Sequence, residues 1–220
     1  MAYGTYESFN MRKIIFLFIL TATIGFVFLS SAHAWLFYSK PDFRGRIIDA
    51  ETKMPIEGAV VVVLYYKRFL VGNPGGPNSY VFSAKETLTD ENGEFYISSY
   101  FSIILFSEDV GAWFIIFKPG YKSIEGRSLN AVFPGVTIGL EDYFDTDVIG
   151  KEAEIKYNNY SGETKTWKGP LGVVELKSVS PDRAMPPSGI PADYGAKELP
   201  LLYKAINEDR RNRGIGGEVK

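Results

Sequence analysis

The chain has no cysteine, and its single histidine, His33, lies near the N-terminus. Without cysteine no disulfide can staple the fold, so stability has to come from buried apolar surface. The same absence rules out a lipid-modified N-terminal cysteine. Beyond residue 34 there is neither His nor Cys, which excludes Ser-His-Asp and Cys-His nucleophiles and His/Cys zinc sites. Charge of one sign is also lacking: 24 Lys and Arg against 26 Asp and Glu leave a net charge of -2. That balance provides no basic patch of the size nucleic acid needs, so no nucleic-acid partner is expected.

What is present is apolar and aromatic. A hydrophobic content of 45% with 15% aromatics argues for a globular protein. In "MRKIIFLFILTATIGFVFLSSAHAW", Arg12 and Lys13 precede an apolar run from Ile14 to Leu29, and Ala32-His33-Ala34 follows. This pattern predicts a secretory signal peptide over residues 1–34, cleaved after Ala34. The run also approaches the roughly 18 apolar residues that span a bilayer, so an uncleaved anchor is the competing expectation. Met11 is an alternative start, since the residues before it carry no Lys or Arg. The expected location is periplasmic or extracellular, with inner-membrane attachment only through a retained N-terminal segment.

Residues 35–140 read as one β domain. From Phe43 to about Leu140, short β-type runs are punctuated by Gly, Pro, Asn and Asp, the pattern of an antiparallel β-sandwich of about seven strands. Strands are predicted near 43–49, 58–66, 80–88, 93–98, 112–118 and 135–140. "GRIIDAETKMPIEG" reads as strand, turn and the start of the next strand, with Asp49, Thr52, Pro55 and Gly58 as turn residues. "ETLTDENGEFYIS" reads as a hairpin with Asn92-Gly93 at its turn. "KRFLVGNPGGPNS" (67–79) and "SYFSIILFSEDVGA" (99–112) read as long loops, where binding usually resides.

"AVVVVLYY" and "AWFIIFK" are apolar at nearly every position, which predicts strands covered on both faces. The first candidate cover is a C-terminal helix over 197–213, with Leu199, Leu202, Ala205 and Ile206 on one face. The 99–112 stretch is the second candidate, and a partner chain the third. Residues 141–196 read as a polar extended connector wrapping the domain. No pattern in the chain sets an oligomeric state.

At these residues a resemblance enters. "GRIIDAETKMPIEGAVVV", then "TLTDENGEFYI", then "FIIFKPGYKS" is similar to the carboxypeptidase regulatory-like domain, a transthyretin-like β-sandwich. Gly45, Asp49, Thr52, Pro55, Ile56, Gly58, Ala59, Asp90, Gly93, Phe95, Gly120 and Tyr121 match its motifs, while Lys53 stands where that family usually has glycine. "KELPLLYKAINEDRRN" looks like the tail of exported bacterial proteins that carry this module. The resemblance implies an accessory module and no peptidase activity. The histidines of a related transthyretin-fold enzyme, the hydroxyisourate hydrolase, have no counterpart here.

Three candidate groups remain. "LEDYFDTD" places Glu141, Asp142, Asp145 and Asp147 close together, the oxygen ligands a calcium ion takes. The spaced glycine of a calcium loop is missing, so a solvated acidic loop is favoured and no cofactor is expected. Phe69, Tyr80 and Tyr100 are candidate ligand contacts, because aromatics beside polar groups stack on sugars and peptides; Phe106 and Trp113 are assigned to the core. Lys67-Arg68 and Arg210-Arg211-Asn212-Arg213 are too short to demand a membrane surface. The expected function is a non-enzymatic exported accessory module for binding or support at the bacterial envelope, its partner an envelope protein or glycan. A carbohydrate- or peptide-binding protein using 67–82 and 99–112 is the alternative, and a cation-dependent carboxylate hydrolase the second.

Overall fold

A computed structural model describes residues 13–21, 23, 37–69, 79–105, 107–131, 136, 139–145, 149–158, 162–180 and 185–220. Helical residues 13–21 (α1) come first. The strands Phe37–Lys40 (β1), Phe43–Asp49 (β2), Val60–Phe69 (β3), Ser79–Leu88 (β4), Glu94–Ile97 (β5), Tyr100–Ile103 (β6), Ser107–Phe117 (β7) and Ile124–Gly126 (β8) follow. Helix Leu140–Tyr143 (α2), strands Glu152–Asn158 (β9), Thr164–Pro170 (β10) and Val173–Leu176 (β11), and helix Pro200–Asn212 (α3) complete the order. Among the described residues no helix is long and apolar enough to cross a membrane. The expected cleavage site at Ala34 lies outside the described residues.

Two sheets carry the fold. One has the order β4-β3-β7-β8 and is antiparallel throughout; the other has the order β11-β2-β5. Phe43, Ile47, Phe95, Ile97, Val174 and Leu176 of the three-stranded sheet meet Val61, Val63, Tyr65, Phe114 and Ile116 of the four-stranded one in a single buried cluster. This is the β-sandwich the alternation predicts. Phe43 sits edge-on to Phe114 at 5.2 Å, and Phe144 packs against both Phe95 and Phe114 at 5.2 Å. Gly45 makes room for that stack, because a Cβ there would lie 2.5 Å from the Phe95 ring and 2.8 Å from Phe144.

The outer face of the four-stranded sheet is covered by α3. Val60, Val62, Leu64, Ile115 and Phe117 pack against Leu199, Leu202, Tyr203, Ala205 and Ile206 in a second buried cluster. That explains the missing alternation in β3 and β7, where Val60 to Tyr65 and Phe114 to Phe117 are dry on both sides. The N-cap of α3, Leu199, offers no side-chain cap. Glu86 of β4 supplies one from outside the helix, accepting the backbone N–H groups of Leu201 at 2.6 Å and Leu202 at 3.0 Å.

Several expectations are corrected. The stretches around 49–58 and 89–93 are not hairpin turns: β2 pairs with β5, whereas β3 and β4 pair with each other in the opposite sheet. Both turns are arches between sheets. The local chemistry of the first is as read, with Asp49 Oδ1 accepting from Glu51 and Thr52 N–H; in the second, Asp90 Oδ1, which the sequence reading did not single out as a turn residue, accepts from Asn92 and Glu94 N–H. The 99–112 stretch is not a loop, since it holds β6 and the first half of β7, and only the ends of 67–79 are described. Of the strand expected near 135–140, residues 135, 137 and 138 lie outside the described residues; Gly139 makes a lone bridge to Ser128 and Leu140 opens α2. The connector contains structure of its own, a β9–β10 hairpin and β11, which pairs with β2 in parallel. The two sandwich sheets hold seven strands, as expected, and among the described residues the β1–β6 and β9–β10 pairs lie outside them.

Candidate functional site

The sandwich has two poles. One is built from the arches at Asp49 and Asp90; the other gathers the β1–β6 ribbon, the end of β3 and the starts of β4 and β7. At this second pole the four-stranded sheet is irregular on both sides of β3. Tyr65 and Tyr66 pair with Ser83 and Val81, leaving Phe82 bulged, and Tyr66 and Lys67 pair with Gly111 and Asp109, leaving Val110 bulged. Bulges of this kind re-aim side chains and are common beside functional sites.

Here they aim Asp109 at Lys40. Lys40, only 7% exposed, places Nζ 2.7 Å from Asp109 Oδ2 and 2.7 Å from Glu141 Oε2. Glu141 is held in turn by the backbone N–H of Ala112, an approach that Gly111 permits at φ +100°, since a Cβ there would lie 2.9 Å from Glu141 Oε1. Tyr38 precedes Lys40 on the same inner face, edge-on to Tyr65 at 6.0 Å and to Phe82 at 4.8 Å, while Tyr100 stacks on Tyr65 at 4.5 Å. The hydroxyls of Tyr38 and Tyr65 are buried and have no hydrogen-bond partner among the described residues. Burial first, then the Asp109 and Glu141 charges, holds the Tyr38 phenol far above its ordinary range. Tyr65 is raised by burial, with Tyr100 and Glu141 adding. Both phenols are therefore donors, and both carboxylates are engaged by Lys40. The cluster can orient a polar group but holds no free general base.

The acidic candidates separate. Glu141 turns inward to Lys40, Asp142 is exposed, Asp145 bridges to Phe43 through its backbone, and Asp147 lies outside the described residues. Among the described residues no group of three or more acidic side chains is placed to hold a metal ion. The physical reason is that α2 points successive side chains to different sides of the helix. The aromatic candidates also divide. Tyr100 packs into the core cluster, whereas Phe69 and Tyr80 form an exposed ring pair 5.1 Å apart, with Lys67 Nζ 5.3 Å from the Tyr80 centroid. Phe106 lies outside the described residues.

A groove that the sequence reading did not find lies on the outer face beside β8. It measures about 680 Å³ and is lined by Trp113, Lys122, Ser123, Glu125, Val179 and Met185, with Pro186, Ser188 and Gly189 closing it. Trp113, assigned to the core from sequence, is half-buried here, and its Nε1–H has no acceptor among the described residues. The Arg127 guanidinium lies 5.9 Å from its ring centroid and 4.7 Å from that of Tyr66. The wall is pinned by Glu125, whose carboxylate accepts the backbone N–H groups of Ser188 and Gly189 and the hydroxyls of Ser188 and Ser123. Among the described residues, Lys122 is the charged side chain of the groove left without an ion pair or hydrogen bond. Nothing in the spacing of residues 113, 125 and 189 signals this meeting, which depends on how the connector returns over the sheet.

No protein-family model matches the chain, and no curated protein sequence matches it. Among solved structures it is similar to 3-chlorocatechol 1,2-dioxygenase from Rhodococcus opacus 1CP, at 16% identity and a TM-score of 0.31. That match covers 66% of this chain and spans 61% of the dioxygenase chain. The expectation that the chain is not an enzyme is corrected accordingly: the structure it is similar to is that of an enzyme. A likeness this distant transfers no chemistry.

Proposed function

We propose that the chain is a binding module exported to the bacterial envelope, of the carboxypeptidase regulatory-like type, and that it takes an extended polypeptide segment in the Trp113 groove. The family reading draws support from the arch pole, where the three motifs of the resemblance meet. Tyr121 donates its hydroxyl to Asp49 Oδ2 at 3.1 Å, and Ile47 N–H reaches the Gly93 carbonyl at 2.8 Å. A Cβ on Gly93, at φ +73°, would lie 2.4 Å from the Ile47 carbonyl oxygen, which accounts for glycine there.

The observation that carries the binding reading is the groove itself. Its volume falls in the range of ligand pockets, and it combines an apolar floor with few polar groups. Sugars need several convergent donors and acceptors, whereas Glu125 is consumed by the groove wall. An apolar side chain over Trp113, with an acidic group on Lys122, fits better. The test is to screen the full chain in detergent against peptide and glycan arrays, alongside Lys122→Glu and Met185→Asp, both at exposed positions. Peptides with adjoining apolar and acidic residues should be retained, and each variant should weaken them about tenfold or more. Retention of glycans alone, or peptide binding indifferent to both substitutions, would overturn this reading.

A further inference from the structure

The β1–β6 ribbon has two faces of opposite character. Its inner face buries Tyr38 and Lys40. Its outer face presents Phe37, Phe101 and Ile103, with Leu105 just beyond; these are 40, 64, 62 and 59% exposed. Phe37 stacks on Phe101 at 5.8 Å and is paired in register with Ile103. The exposed Phe69–Tyr80 pair belongs to the same pole. At the opposite pole the arches, Asp49 to Lys53 and Asp90 to Gly93, are polar, with Met54 and Leu88 as single exposed apolar side chains. A monomer in water gains nothing from gathering its large apolar side chains at one end.

Chain connectivity names the occupant. The apolar run Ile14–Leu29 reaches Phe37 through residues 30–36 alone. Even fully extended, that link spans no more than about 28 Å. Whatever holds the run therefore also holds the ribbon pole close, while the arch pole stands off by the length of β2, roughly 23 Å. The described part of the run is helical with exposed apolar side chains, and Arg12 and Lys13 flank its far end.

We propose that the apolar run is retained in the bilayer and that the outer face of the β1–β6 ribbon seats on the lipid surface, with Phe37, Phe101, Ile103 and Leu105 entering the boundary between headgroups and acyl chains. Aromatic side chains favour that boundary, and a seated ribbon adds apolar contact to the anchor. The membrane contact then belongs to the folded domain as well as to the N-terminal segment. The arch pole faces away from the membrane, and the Trp113 groove, beside Lys122 and Val179, stays open to ligand.

Because the chain has no cysteine, single labels are straightforward to place. Phe101→Cys, Ile103→Cys, Leu105→Cys and, as control, Met54→Cys in the arch are made in the full chain. Each carries an environment-sensitive fluorophore and is reconstituted into phosphatidylethanolamine–phosphatidylglycerol vesicles containing a spin-labelled lipid quencher. All four positions are exposed, so the substitutions leave the core intact. Labels at 101, 103 and 105 should be quenched severalfold more by the lipid than the label at 54, and less by aqueous iodide. Equal quenching at 103 and 54 would overturn the proposal. So would crosslinking of 103 to 103 between two chains in dilute vesicles, which would make the face a dimer contact. Envelope-purified protein that begins at Trp35 would overturn it as well.

Discussion

The two sheets are built from similar residues yet live in different surroundings. In the three-stranded sheet, β2 from Phe43 to Ile47 and β5 alternate between buried and exposed, with Arg44, Arg46, Glu94 and Tyr96 in water. In the four-stranded sheet, residues Val60 to Tyr65 are buried without interruption because α3 closes the outer face. One sheet has a single core to lose and the other has two. The difference teaches that the helix is a third layer of the core, although it is the last element of the chain.

The strongest way to break the contrast is Leu202→Ala. Leu202 is fully buried against the outer face, and its truncation should cost about 3 kcal/mol through lost burial and a residual cavity. Arg44→Ala, on the wet face of the other sheet, should cost less than about 0.5 kcal/mol. Urea midpoints for the two variants would decide; similar small losses would mean that α3 is only a lid.

A smaller effect is expected at the cap between sheet and helix. Glu86→Gln replaces by an amide the carboxyl that receives the first-turn N–H groups of α3 and should cost about 1 kcal/mol. Burial, the largest cause, pushes the Glu86 carboxyl above its ordinary 4.5, against the opposing pull of the Leu201 and Leu202 N–H groups. A raised acid binds its proton more tightly in the folded state, so its contribution is full below 4.5 and is lost as pH rises through the raised value. The wild-type advantage over the variant should therefore be largest at acid pH and narrow upward. A gap that widens with pH would mean that the helix N–H groups, and not burial, dominate the carboxyl.

The smallest change sharpens the picture of the three-stranded sheet. Lys53 sits at φ +59°, the only residue other than glycine in the left-handed region among those described, and pairs with Glu175 across two exposed side chains at 2.7 Å. Lys53→Gly exchanges a backbone cost for a weak ion pair and should raise the thermal midpoint slightly, by less than about 1 kcal/mol in stability. A clear loss of stability would show that the Glu175 contact secures β11 to the arch after β2.

Much of the fold was legible. The loss of alternation in "AVVVVLYY" and "AWFIIFK" announced a second cover, and Leu199, Leu202, Ala205 and Ile206 announced which helix would provide it. The candidate site was far less so. Phe69 and Tyr80 were found exposed, but Tyr100 faces inward because β6 pairs with β1 and takes its phase from Tyr38 and Lys40. Trp113 was read as core because an aromatic residue in an apolar strand looks the same whether a helix or a groove lies above it.

By itself the sequence determined the runs of β2 to β5 and the second half of β7, the turn chemistry at Asp49, and the amphipathic face of α3. These are properties of residues a few positions apart, where periodicity and local hydrogen bonding decide. Only the tertiary structure decided that β2 and β3, and β4 and β5, part into opposite sheets, since the same alternation serves a hairpin or an arch. It also decided that Lys40 meets Asp109 and Glu141, and that Glu125 clasps Ser188 and Gly189 to wall the groove. Those meetings depend on strand pairing and chain return over many tens of residues, about which no local pattern carries information.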